Sequence, residues 1–96
     1  MENESRYYRI NPVVSCGIEK DGAVLFNPDT DDTSIINDSG HLIWDFLQHP
    51  HTVEEICSYL RENYENLSTE QAYKDVTQFV NALLPDFLEE VGDHEG

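Results

Sequence analysis

The chain has 96 residues, with 20 acids against 5 bases and a formal net charge of -15. That balance argues against nucleic acid as a partner: a DNA or RNA reader needs clustered Lys and Arg to replace phosphate counterions, and Arg6, Arg9, Lys20, Arg61 and Lys74 are scattered. With 39% hydrophobic residues the chain can build one small core, but no run approaches the roughly 20 apolar residues of a membrane span.

The polar opening MENESRYYR has no apolar signal-peptide segment, so residues 1–11 read as a flexible arm and the cytoplasm as the expected compartment. In that reducing setting Cys16 and Cys57 read as buried thiols rather than as a disulfide. From Pro12 to Glu19, the residues Val13, Val14, Cys16 and Ile18 suit a strand, and Lys20-Asp21-Gly22 supplies the chemistry of a hairpin turn. A second strand follows over Ala23–Phe26. The dense turn cluster Asn27-Pro28-Asp29-Thr30-Asp31-Asp32 then leads to a third strand, Thr33–Asn37.

After Asn37 the hydrophobic period becomes helical. Asp38 or Ser39 can cap a first helix that carries Leu42, Ile43, Phe46 and Leu47 on one stripe and stops before His49-Pro50-His51. Thr52 and Glu55 form the pattern of a capping box for a second helix with Val53, Ile56, Cys57 and Leu60 inside, and Ser68 with Gln71 repeats the device. The third helix carries a broad apolar band of Ala72, Tyr73, Val76, Phe79, Val80, Leu83 and Leu84, and ends at Pro85. Phe87, Leu88 and Val91 tuck a tail against the core, and 92–96 frays. The whole is an α+β, winged-helix-like domain over residues 12–91, a three-stranded antiparallel sheet followed by a three-helix bundle.

Adjacent Ile35 and Ile36 in the third strand must point to opposite faces, so one enters the core and the other needs a different cover. Which one faces out depends on register, because a slip of one residue exchanges them. Gly40 permits close packing of helix on strand, and Trp44 supplies core area or a partner surface.

Taken in order, DGAVLFNP, the turn and SIIN, then Asn37-x-x-Gly40-x-x-Ile43-Trp44, the capped TVEEICSYL and the late DVTQFVNAL resemble the PqqD-like domains, also called RiPP recognition elements, over nearly the whole chain. The resemblance implies a non-catalytic chaperone without cofactor, which binds the leader segment of a ribosomally made precursor peptide. It presents that precursor to a modifying enzyme, often a radical S-adenosylmethionine enzyme. It also implies that the leader adds as a strand to Thr33–Asn37 and rests against the third helix. An edge strand offers unpaired N–H and C=O groups, and neighbouring pockets select alternate side chains. On that basis the ladder is assigned to Thr33, Ser34, Ile35, Ile36 and Asn37, and the groove to Tyr73, Val76, Phe79 and Leu83, with about half of the helix residues expected in the core. The state expected is a monomer or weak dimer.

Other chemistries fail on detail. His41, Asp45, His49, His51 and Cys57 lack any metal-ligand spacing. The acidic turn has Ser34 and Gly40 where a calcium loop needs Gly and Glu. No nucleophile motif or phosphate loop is present. The alternatives that remain are a winged-helix transcription regulator, which the charge and a third helix with Lys74 as its only base oppose, and a general protein-interaction module.

Overall fold

The computed structural model describes residues 6–92. They form β1 (Tyr7–Ile10), β2 (Ser15–Glu19), β3 (Gly22–Asn27), β4 (Asp32–Asn37), α1 (Asp38–Phe46), α2 (Val53–Asn63), α3 (Thr69–Leu83) and β5 (Leu88–Val91). The expected meander is β2-β3-β4, antiparallel and in that spatial order, and the three helices follow it. Its inner face sends Ala23, Leu25 and Ile36 into a core with Ile43 and Trp44 of α1, Ile56, Cys57 and Leu60 of α2, and Ala72, Val76, Val80 and Leu83 of α3. Trp44 is thus a core residue. Leu25, Leu47, Ile56, Val76 and Leu88 are fully buried, each stabilising by about 1.5–3 kcal/mol on burial.

Each helix starts where its first-turn N–H groups find an acceptor. At α2 the capping box is complete: Glu55 N–H donates to Thr52 Oγ1 at 3.2 Å and Thr52 N–H to Glu55 Oε1 at 3.1 Å. At α3 half of it forms. Gln71 N–H donates to Ser68 Oγ, but the Gln71 side chain turns away to Asp75 Oδ1 at 2.8 Å. For α1 the cap is neither Asp38 nor Ser39 but Asn37, whose Oδ1 accepts from Gly40 N–H at 2.9 Å. Because β4 runs into α1 without a linker, the last, still extended strand residue takes the capping position.

Where polar composition predicts a flexible arm over 1–11, residues 7–10 are instead β1, paired antiparallel with β5 from Tyr7↔Val91 to Ile10↔Leu88. Arg9 Nε donates to Glu89 at 2.7 Å across this pair, and Tyr8 and His51 exchange backbone hydrogen bonds on the other side of β1. The tail expected from Phe87, Leu88 and Val91 is therefore strand β5, with Phe87 and Leu88 buried. Residues 1–5 of the arm and 93–96 of the frayed segment lie outside the described residues. His51 also stacks on Phe46, which stacks in turn on Tyr59.

Cys16 and Cys57 are free thiols, but only Cys57 is buried. Cys16 is exposed, as is every residue of β2, an edge strand of the sheet. Desolvation first, and Asp45 second, push its thiol above the usual range; desolvation and then Glu54 do the same for Cys57.

Asn27, at the end of β3, is buried and fully engaged. Its Oδ1 accepts from Asp29 N–H at 2.7 Å and from Thr30 N–H, while its Nδ2 donates to the Asp86 carbonyl, which Asn11 Nδ2 also reaches at 3.1 Å. This joins the β3–β4 turn to the segment before β5 and brings two carboxyls together. A hydrogen bond with Asp32, above all, holds the Asp86 carboxyl above its ordinary pKa. A raised carboxyl favours the folded state below the unfolded pKa, and that contribution is lost as pH rises through the folded value. Asp86→Asn is therefore expected to melt at a higher temperature than the parent at neutral pH, where the pair repels, and to lose that advantage on acidification. Melting curves at several pH values check this, and an equal gain at every pH would contradict the shared-proton reading.

Candidate peptide-docking edge

An antiparallel strand turns the N–H and C=O of successive residues to alternate sides. The two-residue loop Lys20-Asp21 closes on the pair Glu19↔Gly22, which by hairpin geometry is hydrogen-bonded. Alternation then makes Ala23↔Ile36 and Leu25↔Ser34 the hydrogen-bonded pairs of the β3–β4 ladder. Ser34 and Ile36 thus direct their backbone groups at β3, while those of Thr33 and Ile35 face the free side of β4. Among the described residues no strand pairs with that side.

The register also resolves the two isoleucines. Ile36 is 8% exposed and belongs to the core, whereas Ile35 is 79% exposed on the outer face beside Val24. Of the five strand positions assigned to the ladder, Thr33 and Ile35 offer backbone groups. Ser34 and Ile36 are committed to β3, and Asn37 caps α1.

The helix positions separate in the same way. Val76 and Leu83 are buried, with Ala72 and Val80, in the stripe that α3 turns to the core, so they line no surface groove. The cause is the spacing: 72, 76, 80 and 83 stack on one face at 3.6 residues per turn. Tyr73 is 55% exposed, but lies about 120° around the helix from Phe79, on the other flank of the buried stripe. Phe79 alone of the four stands beside β4. Its ring packs where Gly40 has no side chain: a Cβ there would lie 3.1 Å from Phe79 Cε1 and 3.1 Å from Ile36 Cβ. Gly40 thus performs the close packing read from the sequence.

At this junction a cleft of about 580 Å³ opens from the last residue of β4. Ile43, Leu60, Leu67 and Phe79 supply its apolar surface, and Asn37, Ser39, Glu65, Asp75 and Gln78 are among its polar lining residues. Asp75, Gln78 and the α2–α3 loop carry no motif, and only the 3.6-residue flank shared by 75, 78 and 79 links them in the sequence. Among the described residues no group of three or more His, Cys, Asp or Glu could hold a metal ion, and no helix is long and apolar enough to cross a membrane.

A winged-helix-like α+β domain with an open β4 edge beside an apolar cleft is the class that this fold and site define. Residues 22–85 match the family model for coenzyme PQQ synthesis protein D (PqqD), and the chain belongs to that family. The match spans β3, β4 and all three helices and leaves β1, β2 and β5 outside. Two solved structures share the fold. One, described as TbiB1 in complex with the TbiA(beta) leader peptide, superposes with a TM-score of 0.68 at 24% identity, covering 78% of this chain and 86% of that one. The other, lasso peptide synthetase B1 complexed with the leader peptide, gives 0.69 at 23%, covering 84% and 95%. None of the curated proteins compared with the chain matches it.

Proposed function

We propose that this protein is a leader-peptide-binding chaperone that captures a ribosomally made precursor by strand addition to β4 and presents it to a modifying enzyme. The observation that carries the reading is the open β4 edge, with the backbone of Thr33 and Ile35 facing out and the Phe79 cleft beginning where the strand ends. Such an edge sets the direction and register of an extended peptide, and the cleft selects a side chain. A micromolar complex needs about -8 kcal/mol net, which a few anchored side chains over one short ladder supply after ordering costs. Membership in the PqqD family and the leader peptides bound to the two similar structures support the same role.

The protein acts as a binding partner rather than a catalyst, in the cytoplasm where precursors are made. For the enzyme it serves, the family resemblance points to a radical S-adenosylmethionine enzyme and one of the two solved structures, the lasso peptide synthetase B1, to a lasso-type system. The genes beside this one distinguish these.

The test is a titration of the isotope-labelled protein with the leader half of the precursor encoded alongside it. Amide shifts are expected at Thr33, Ile35 and Phe79, with smaller changes on the far flank of α3 at Tyr73. Binding that leaves β4 undisturbed would sink the strand-addition reading.

A further inference from the structure

The cleft that continues the β4 edge has an acidic rim without a basic counterpart. No Lys, Arg or His is among its lining residues, whereas Glu65 and Asp75 both are. Asp75 is held in place by the Gln71 amide, 2.8 Å from its Oδ1. Arg61 and Lys74, close to these acids in the chain, are not among the lining residues. Arg61, four residues before Glu65, donates its Nε to the Leu67 carbonyl at 3.1 Å, and Lys74 precedes Asp75 on α3, about 100° around the helix from it. Neither carboxylate makes an ion pair with another described residue. Ile43, Leu60, Leu67 and Phe79 line the same cleft, so an occupant meets apolar surface and negative charge together.

Resting on the docking reading above, we propose that the captured segment is cationic: an extended peptide that sets one bulky apolar side chain in the cleft and a Lys or Arg against Glu65 and Asp75. The net charge of -15 draws such a peptide in from a distance. The two rim carboxylates fix which part of it stops at the cleft, because a paired charge there sets register while an acidic side chain would be repelled. The selectivity is therefore local, and distinct from the attraction of the acidic surface at large.

The test uses the full chain and a random dodecapeptide phage library, with each selected peptide re-tested on Ile35→Pro to confirm that it binds through β4. Peptides that need Ile35 are expected to carry a Lys or Arg within a few residues of a bulky apolar residue. Their affinity should fall about tenfold between about 50 mM and about 500 mM NaCl. Glu65→Gln with Asp75→Asn should remove most of that dependence, whereas Glu54→Gln with Glu62→Gln on the exposed face of α2, an equal change in net charge, should leave it nearly intact. If peptides need Ile35 but show no basic enrichment, or if both double variants weaken them equally, the cationic assignment is wrong and strand docking stands. If no selected peptide depends on Ile35, strand docking itself fails, and this assignment with it.

Discussion

Ile35→Pro is expected to weaken leader binding at least about tenfold while leaving the protein folded. The backbone groups of Ile35 face the free edge, so the substitution removes a donor available to a peptide and none that holds β4 to β3. Proline is tolerated on an edge strand for the same reason. A hydrogen bond contributes about 0.5–1.5 kcal/mol net, and the ring also blocks close approach of the added strand. The exposed Ile35 side chain is lost as well, and about 1.4 kcal/mol is already a factor of ten. The companion change Ile36→Pro should behave oppositely. It strips a donor from the β3–β4 ladder and empties a buried position, so the fold itself suffers. Fluorescence titration with the leader, paired with thermal melts of both variants, reads the contrast. Equal binding by Ile35→Pro and the parent would show that the peptide does not use this edge.

Gly22→Ala is expected to be the most destabilising single-methyl change in the sheet, by roughly 2–4 kcal/mol, or about 10–25 °C in Tm for a domain this small. Gly22 has φ +147°, a conformation that L side chains rarely adopt, and a Cβ there would run into the Ile36 carbonyl oxygen and lie 2.8 Å from Asn37 Cα. These are backbone atoms, so relief requires β4 to move away from β3. That movement would drag Asn37, the cap of α1, and open the junction that forms the cleft. Calorimetry measures the loss, and a variant that melts within a few degrees of the parent would contradict the crowding.

The parts of the fold that could be read from the sequence are those governed by neighbours along the chain. Thr52 and Glu55 announce a capping box because its partners are three residues apart, and Gly22 marks a turn because its conformation is a local matter. The helical spacing of Ala72, Val76, Val80 and Leu83 identifies an apolar band, but periodicity alone does not say how wide a stripe the core takes. Val76 and Leu83 therefore read as groove residues until α2 is seen packed over their face. For β1 the difficulty is different. Tyr7–Ile10 is short and mixed in polarity, and its partner lies some eighty residues away, so no local pattern distinguishes it from a loose arm. Cys16 reads as buried because its strand alternates, yet it stands on an edge strand whose residues are all exposed.

By itself the sequence determined an acidic domain without catalytic groupings, a three-stranded meander, three capped helices and an isoleucine pair in which one member must face outward. Tertiary structure alone decided which member that is, since the β3–β4 register sets the face of every side chain in the strand at once. It also decided where the cleft lies, because Asn37, Leu67, Asp75 and Phe79 come from separate segments that meet only when α1 and α3 pack at the end of β4. A site assembled across such distances in the chain follows from packing, and packing is a property of the whole fold.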